Sequence, residues 1–214
     1  IGRFKYIVLD TPAGGVNHLS SLMNSIDQVL FIFDMSNSIA VNGSIDALHS
    51  FIDYYEDFYN DYKQGQLTGL DKAYVNRMIA LRGVEAVAEI LSNKKFGIIF
   101  NRYQSPKEIS NCLDQLREYL ETLDRYDEYK DRIHMVGMVP HHKIINITNN
   151  RGTLFYDKDS SLSKCINLIA ENILTDNQNC PTLSNTNGKI LQFLQKKGQG
   201  SWTSRFGRIA SSIS

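Results

Sequence analysis

Asp10 and Gly14 stand four residues apart in KYIVLDTPAGG, residues 5–15, where an apolar run ends in a glycine turn. A carboxylate at the end of a buried strand can bind Mg²⁺ through water. A glycine four positions later lets its backbone N–H approach a terminal phosphate with no side chain in the way. The spacing alone admits an equal alternative, in which Asp10 caps the following turn and Gly14–Gly15 bend the chain. The histidines offer no metal site: His141 and His142 are adjacent, His18 and His49 lie far off, and none stands at the i, i+4 spacing of a ligand pair. Cys112, Cys165 and Cys180 are scattered, with no CxxC pair, which argues against a disulfide framework or a zinc or iron–sulfur site and fits a reducing cytosol.

The elements that must position these residues come from 214 residues, 42% apolar and 21% charged, enough for one sizeable core. No apolar run approaches the roughly 20 residues that span a bilayer, and no signal peptide precedes the first strand. The net charge is zero but unevenly placed. No Asp or Glu follows Asp176, while Lys189, Lys196, Lys197, Arg205 and Arg208 do, so a basic end is appended to a mildly acidic body.

Apolar periodicity predicts buried strands at Phe4–Leu9, Gln28–Phe33, Phe96–Phe100 and Ile133–Val139. Helices are expected at Asn17–Ser25, Val41–Tyr62, Leu70–Leu91, Lys107–Leu123 and Ser161–Leu174, with a short helix or turn at His141–Asn149. VLFIF, residues 29–33, has no polar alternation and reads as covered on both faces. In the second helix Phe51, Tyr55, Phe58 and Tyr62 are expected to form a packed stripe with acidic residues on the solvated side; the alternative for the acidic, aromatic stretch Asp53–Tyr62 is a partner surface. The order implies an α/β fold, a mostly parallel sheet with helices on both faces. Ligands bind such sheets at the carboxyl ends of the strands. The positions to watch are therefore Asp10–Gly15, Asp34–Asn37, Asn101–Tyr103 and Pro140–His142.

Three separated segments carry a resemblance. YIVLDTPAGGVNHLSSLMNSIDQVLFIFD is similar to the switch II region of the MinD/ParA family of deviant-Walker P-loop ATPases. FGIIFNRYQ, residues 96–104, resembles that family's "G-v-v-l-N-r" strand, and residues 137–173, opening GMVP, resemble its C-terminal portion. The resemblance covers about residues 5–174, with residues 53–91 as a helical insertion. It implies a P-loop NTPase fold, with ATP and Mg²⁺ as cofactors. Asp10 would be the Mg²⁺-proximal carboxylate, acting through water, and Gly14 the γ-phosphate sensor. Asn101 would pair with the adenine edge, since an amide offers donor and acceptor; Arg102 would stack on the base or contact the ribose, and Pro140 would open the loop that closes over the adenine. Asp34 departs from the family pattern and reads as a turn residue. The phosphate-cradling K-G-G-x-G-K-[ST] loop does not occur in these 214 residues. The expectation is an N-terminally incomplete domain whose phosphate half lies upstream, leaving this chain inactive by itself.

Residues 175–188 are polar and predict a flexible linker. Residues 189–214 predict a basic amphipathic tail in which Trp202, Phe206, Ile209 and Ile213 form a helical stripe. Apolar stripes flanked by Lys and Arg suit an anionic membrane surface; the alternatives are packing on the domain or on a partner, and a disordered basic end. DNA is disfavoured, because no helix-turn-helix accompanies five charges that would bind only weakly. The family resemblance implies an ATP-dependent homodimer that hydrolyses ATP as a positioning switch, cytoplasmic or peripheral on the inner membrane face. The alternative is a non-catalytic adaptor with the same architecture, acting through its insertion and tail.

Overall fold

The computed structural model describes residues 28–142 and 160–198. The expected strand Phe4–Leu9, the helix Asn17–Ser25, Asp10, Gly14 and the stripe from Trp202 to Ile213 lie outside the described residues. The elements follow as β1 (Gln28–Asp34), α1 (Ser38–Gln64), α2 (Gly69–Arg82), α3 (Val84–Ser92), β2 (Lys95–Tyr103), α4 (Pro106–Thr122), α5 (Tyr126–Tyr129), β3 (Ile133–Pro140), α6 (Ser160–Leu174) and α7 (Asn187–Gly198). Among the described residues three parallel strands in the order β1-β2-β3 make an α/β fold.

The chain divides into two compact units. The one containing Gln28–Ile45 and the described residues from Asn93 onward holds the sheet. On one face of it Ile99, Val136 and Val139 pack against Leu162 and Ile169 of α6, with Leu30, Ile166 and Ile173 at the margin. Gly137 permits that approach: a Cβ there would stand 3.1 Å from Ile169 Cδ1 and closer still to Cγ1. The start of α4 is fixed by Glu108, whose carboxylate accepts from the backbone N–H groups of Gln104 (2.8 Å) and Ser105 (3.4 Å). Its apolar residues Ile109, Leu113, Leu116 and Leu120 are all buried, at the helical spacing read from sequence.

The other unit contains Asp46–Ser92. Phe51, Tyr55 and Phe58 are buried along α1, and the Tyr55 hydroxyl donates to the Leu91 carbonyl. Tyr62 is only half-buried, so the expected stripe holds for its first three members. The single helix expected over Leu70–Leu91 is broken at Gly83, whose φ of 85° ends α2 and whose N–H donates to the Ile79 carbonyl at 2.8 Å.

Residues 175–188 differ from expectation. Asp176 and Asn177 adopt left-handed φ of 53° and 56° and close α6, with Asn177 N–H donating to the Asn172 carbonyl at 2.9 Å. The chain then runs antiparallel along β3: Met135 N–H donates to Pro181 O (2.8 Å), Leu183 N–H donates to Ile133 O (2.9 Å), and His134 bridges Thr182. Cys180 and Leu183 are buried. The polar composition that read as a linker satisfies backbone groups instead, as when Asn185 Oδ1 accepts from Thr182 N–H at 2.9 Å. Arg117 of α4 pins this strap, donating to the carbonyls of Leu183 (3.2 Å) and Asn185 (2.8 Å) and to Asn187 Oδ1.

The first part of the basic tail is described as far as Gly198. In α7 Ile190 and Leu194, four apart, are fully buried, and the helix packs on α4, α6 and β3. This first part takes the packed alternative.

Candidate functional site at the carboxyl ends of the strands

Each strand of the sheet ends on a residue singled out in the sequence. Asp34 closes β1 and lies in register with Asn101 of β2, which lies in register with Val139; Tyr103 pairs with Pro140. Met35 N–H donates to the Asn101 carbonyl (2.8 Å) and His141 N–H to the Tyr103 carbonyl (2.9 Å), so pairing runs to the end of all three strands. Asp34, Asn101, Arg102 and Pro140 are thus brought to one edge.

Arg102 is the extra residue of a bulge. The register skips it between Asn101 and Tyr103, and its φ is 61°, a left-handed value that costs a non-glycine residue about 1 kcal/mol. In a regular strand Arg102 would face away from Asn101 and from its register partner Asp34. The bulge instead lets Arg102 reach Asp34, donating from Nε to Oδ1 at 2.9 Å and from Nη2 to Oδ2. Ser36 N–H adds a third bond to Oδ1 at 3.0 Å. Partial burial raises the Asp34 pKa, but the Arg102 hydrogen bond, the Ser36 backbone and hydroxyl bonds and the Arg102 charge together outweigh it, and the carboxyl lies below the ordinary aspartate value. The side chains are 29% and 48% exposed, so the pair contributes little to stability and chiefly fixes the guanidinium plane.

Asp34 is therefore more than a turn residue, correcting the sequence reading. The turn that follows it is held by Asn37, whose Oδ1 accepts from Ala40 N–H at 2.9 Å at the start of α1. Ser44 Oγ, donating to the Ala40 carbonyl at 2.8 Å, accepts from Asp34 N–H at 3.3 Å.

Asn101 is half-buried, its side-chain amide making no hydrogen bond among the described residues. Two positions before Asp34 on the same face of β1 stands Ile32, 63% exposed, although its register partner Ile99 is buried. The apolar run VLFIF is thus not covered at every position. Ile32, the Asn101 amide and the Arg102 guanidinium share the strand-end edge as a platform: an exposed apolar side chain, an amide with no hydrogen-bond partner among the described residues, and a planar cation paired with Asp34. Such a surface suits a flat, neutral, hydrogen-bonding group better than a phosphate. Sequence reasoning missed Ile32. Aligning VLFIFD on GIIFNR by their apolar runs sets Asp34 opposite Asn101, but the pairing with Arg102 depends on the bulge, which the sequence pattern does not show.

Tyr103 lies next on β2. Burial, with a smaller contribution from Cys165, pushes its phenol up to about 12, so it remains a protonated donor at neutral pH. Pro140 is buried and His141 exposed. Among the described residues no group of three His, Cys, Asp or Glu could hold a metal ion, and no helix is long and apolar enough to cross a membrane. The expected Mg²⁺ carboxylate, Asp10, lies outside the described residues. No protein-family model, curated protein or solved structure matches this chain.

Proposed function

We propose that this chain is part of an ATP-binding and ATP-hydrolysing switch of MinD/ParA type, which places a cellular structure, and that the platform at the strand ends recognises the adenine. The observation that carries the reading is the Asn101 amide, without a hydrogen-bond partner among the described residues and held at a strand end beside Asp34 and Arg102. The three segments that resemble the family are consistent with it. Asn101 would read the base edge, Arg102 would stack, Ile32 would floor the ring, and Pro140 would set the chain that follows β3. Asp10, Gly14 and Mg²⁺ belong to the phosphate half, together with a cradle absent from these residues. In such a switch water attacks the γ-phosphate, and positioning and electrostatics supply most of the catalysis.

The test is equilibrium binding of adenosine, guanosine and Mg·ATP to this chain, followed by the same titrations with Asn101→Ala. Because the site recognises the base, adenosine and ATP should bind with similar, weak affinity, and guanosine more weakly. Loss of one or two amide hydrogen bonds should weaken adenosine binding about tenfold, roughly 1.4 kcal/mol. Equal binding of adenosine and guanosine refutes the assignment. ATP binding far tighter than adenosine would reveal a phosphate site within this chain and contradict the division of the site into two halves.

A further inference from the structure

At the opposite, amino end of the sheet, buried polar atoms lack hydrogen-bond partners among the described residues. Asn177 is fully buried, with neither Nδ2 nor Oδ1 hydrogen-bonded. His134 is 8% exposed and its Nδ1 is unpartnered, and so is the buried Nε2 of Gln28.

The register puts these groups on one face. Gln28 lies opposite Lys95, and Gly97, two residues on, lies opposite His134. A Cβ on Gly97 would stand 3.5 Å from Asn177 Nδ2, so the Asn177 amide lies over that glycine. The next residue back, Asp176, accepts from Lys95 Nζ at 2.6 Å. The backbone of the turn is held by its own bonds: Asn177 N–H donates to Asn172 O and Cys180 N–H donates to Asn177 O, both at 2.9 Å. The unpartnered side chains therefore cannot be serving the turn.

Buried amides and imidazoles are almost always hydrogen-bonded, to protein or to ordered water, and an internal water typically takes about three such bonds. An asparagine amide offers a donor and an acceptor and a glutamine nitrogen a donor. Burial and the Lys95 charge lower the pKa of His134, outweighing Asp176 and the backbone of Cys180 and Asn177. A neutral imidazole can then present an acceptor nitrogen. We infer that Asn177 and His134 form an internal water-binding site, in which ordered water tethers the 175–186 strap to the amino end of the sheet.

Ordered water is the ligand these groups fit: they match its mixed donors and acceptors, and the side chains that carry the orphaned atoms are uncharged. In the full chain in solution, water-to-protein NOE spectroscopy should show a cross-peak from long-lived water to the Asn177 side-chain amide protons. Asn177→Gly keeps the left-handed backbone and removes the amide, and should abolish the cross-peak from the same water to the His134 ring. A high-resolution crystal structure of the native chain should show water within hydrogen-bond distance of both Asn177 and His134, whether or not the variant folds. The inference is overturned if no long-lived water is seen, if the His134 cross-peak survives the substitution, or if density shows the side chains bonded directly to protein groups without water.

Discussion

Replacing Gly137 with alanine tests how α6 is seated on the sheet. The added Cβ would lie 3.1 Å from Ile169 Cδ1 and closer still to Cγ1, inside the roughly 3.5–4 Å of normal carbon contact. Ile169 is 7% exposed and sits on a helix, where a β-branched side chain has essentially one χ1 rotamer, so Cγ1 cannot swing aside. The helix must lift instead. Overpacking of this kind costs about 1–3 kcal/mol, reduced by about 0.4–1 kcal/mol because alanine restricts the unfolded chain. Ile169→Ala alone should cost about 2–5 kcal/mol through its cavity. In the double variant the new methyl enters that cavity, so the combined loss should fall short of the sum by about 1–3 kcal/mol. Urea unfolding followed by far-UV circular dichroism measures all four proteins. At a slope of about 2 kcal/mol per molar, Gly137→Ala should lower the midpoint by roughly 0.5–1 M. The reasoning fails if Gly137→Ala leaves the midpoint unchanged, or if the two losses add to within about 0.5 kcal/mol.

Arg117→Ala should cost about 2–3 kcal/mol by stranding the Leu183 and Asn185 carbonyls, and should speed hydrogen exchange at the Leu183 amide more than at amides inside α4; equal acceleration at both would count against a pinned strap. Asp34 should titrate by carboxyl NMR below ordinary aspartate, and Arg102→Ala should move its midpoint upward. The sign follows from linkage: with its folded pKa depressed, Asp34 contributes stability above its unfolded pKa, and that contribution is lost as pH falls through the folded value. Cys112, Cys165 and Cys180 are buried, and burial pushes the Cys112 thiol up to about 12, so none should react with a thiol reagent at neutral pH before unfolding; rapid native-state labelling of Cys112 would contradict its placement.

Strand content was legible where apolar runs are continuous. FGIIF and the run from Ile133 to Val139 form strands within about three residues of expectation, because a buried parallel strand has no polar face to blur it. The stripe of α4 was equally plain. The end of the chain was not. Residues 175–188 have the composition of a linker, and composition cannot show that their amides and hydroxyls cap turns against β3. α7 carries lysines beside an apolar pair, a pattern shared by a membrane-facing helix and one that packs on its own domain. At the site, Asn101 and Arg102 could be singled out from FGIIFNR, but a regular strand would have sent Arg102 to the other face.

Local periodicity by itself determined the alternation of strands and helices, and with it the edge at which Asp34, Asn101 and Pro140 would gather, because the period of side-chain burial is a property of neighbouring residues. Tertiary structure alone decided which strands are neighbours, that a bulge turns Arg102 onto Asp34, that Ile32 stays open beside Asn101, and that the polar strap is buried. Each of those depends on groups far apart in sequence. Their pairing energy, rather than their local preference, selects the conformation.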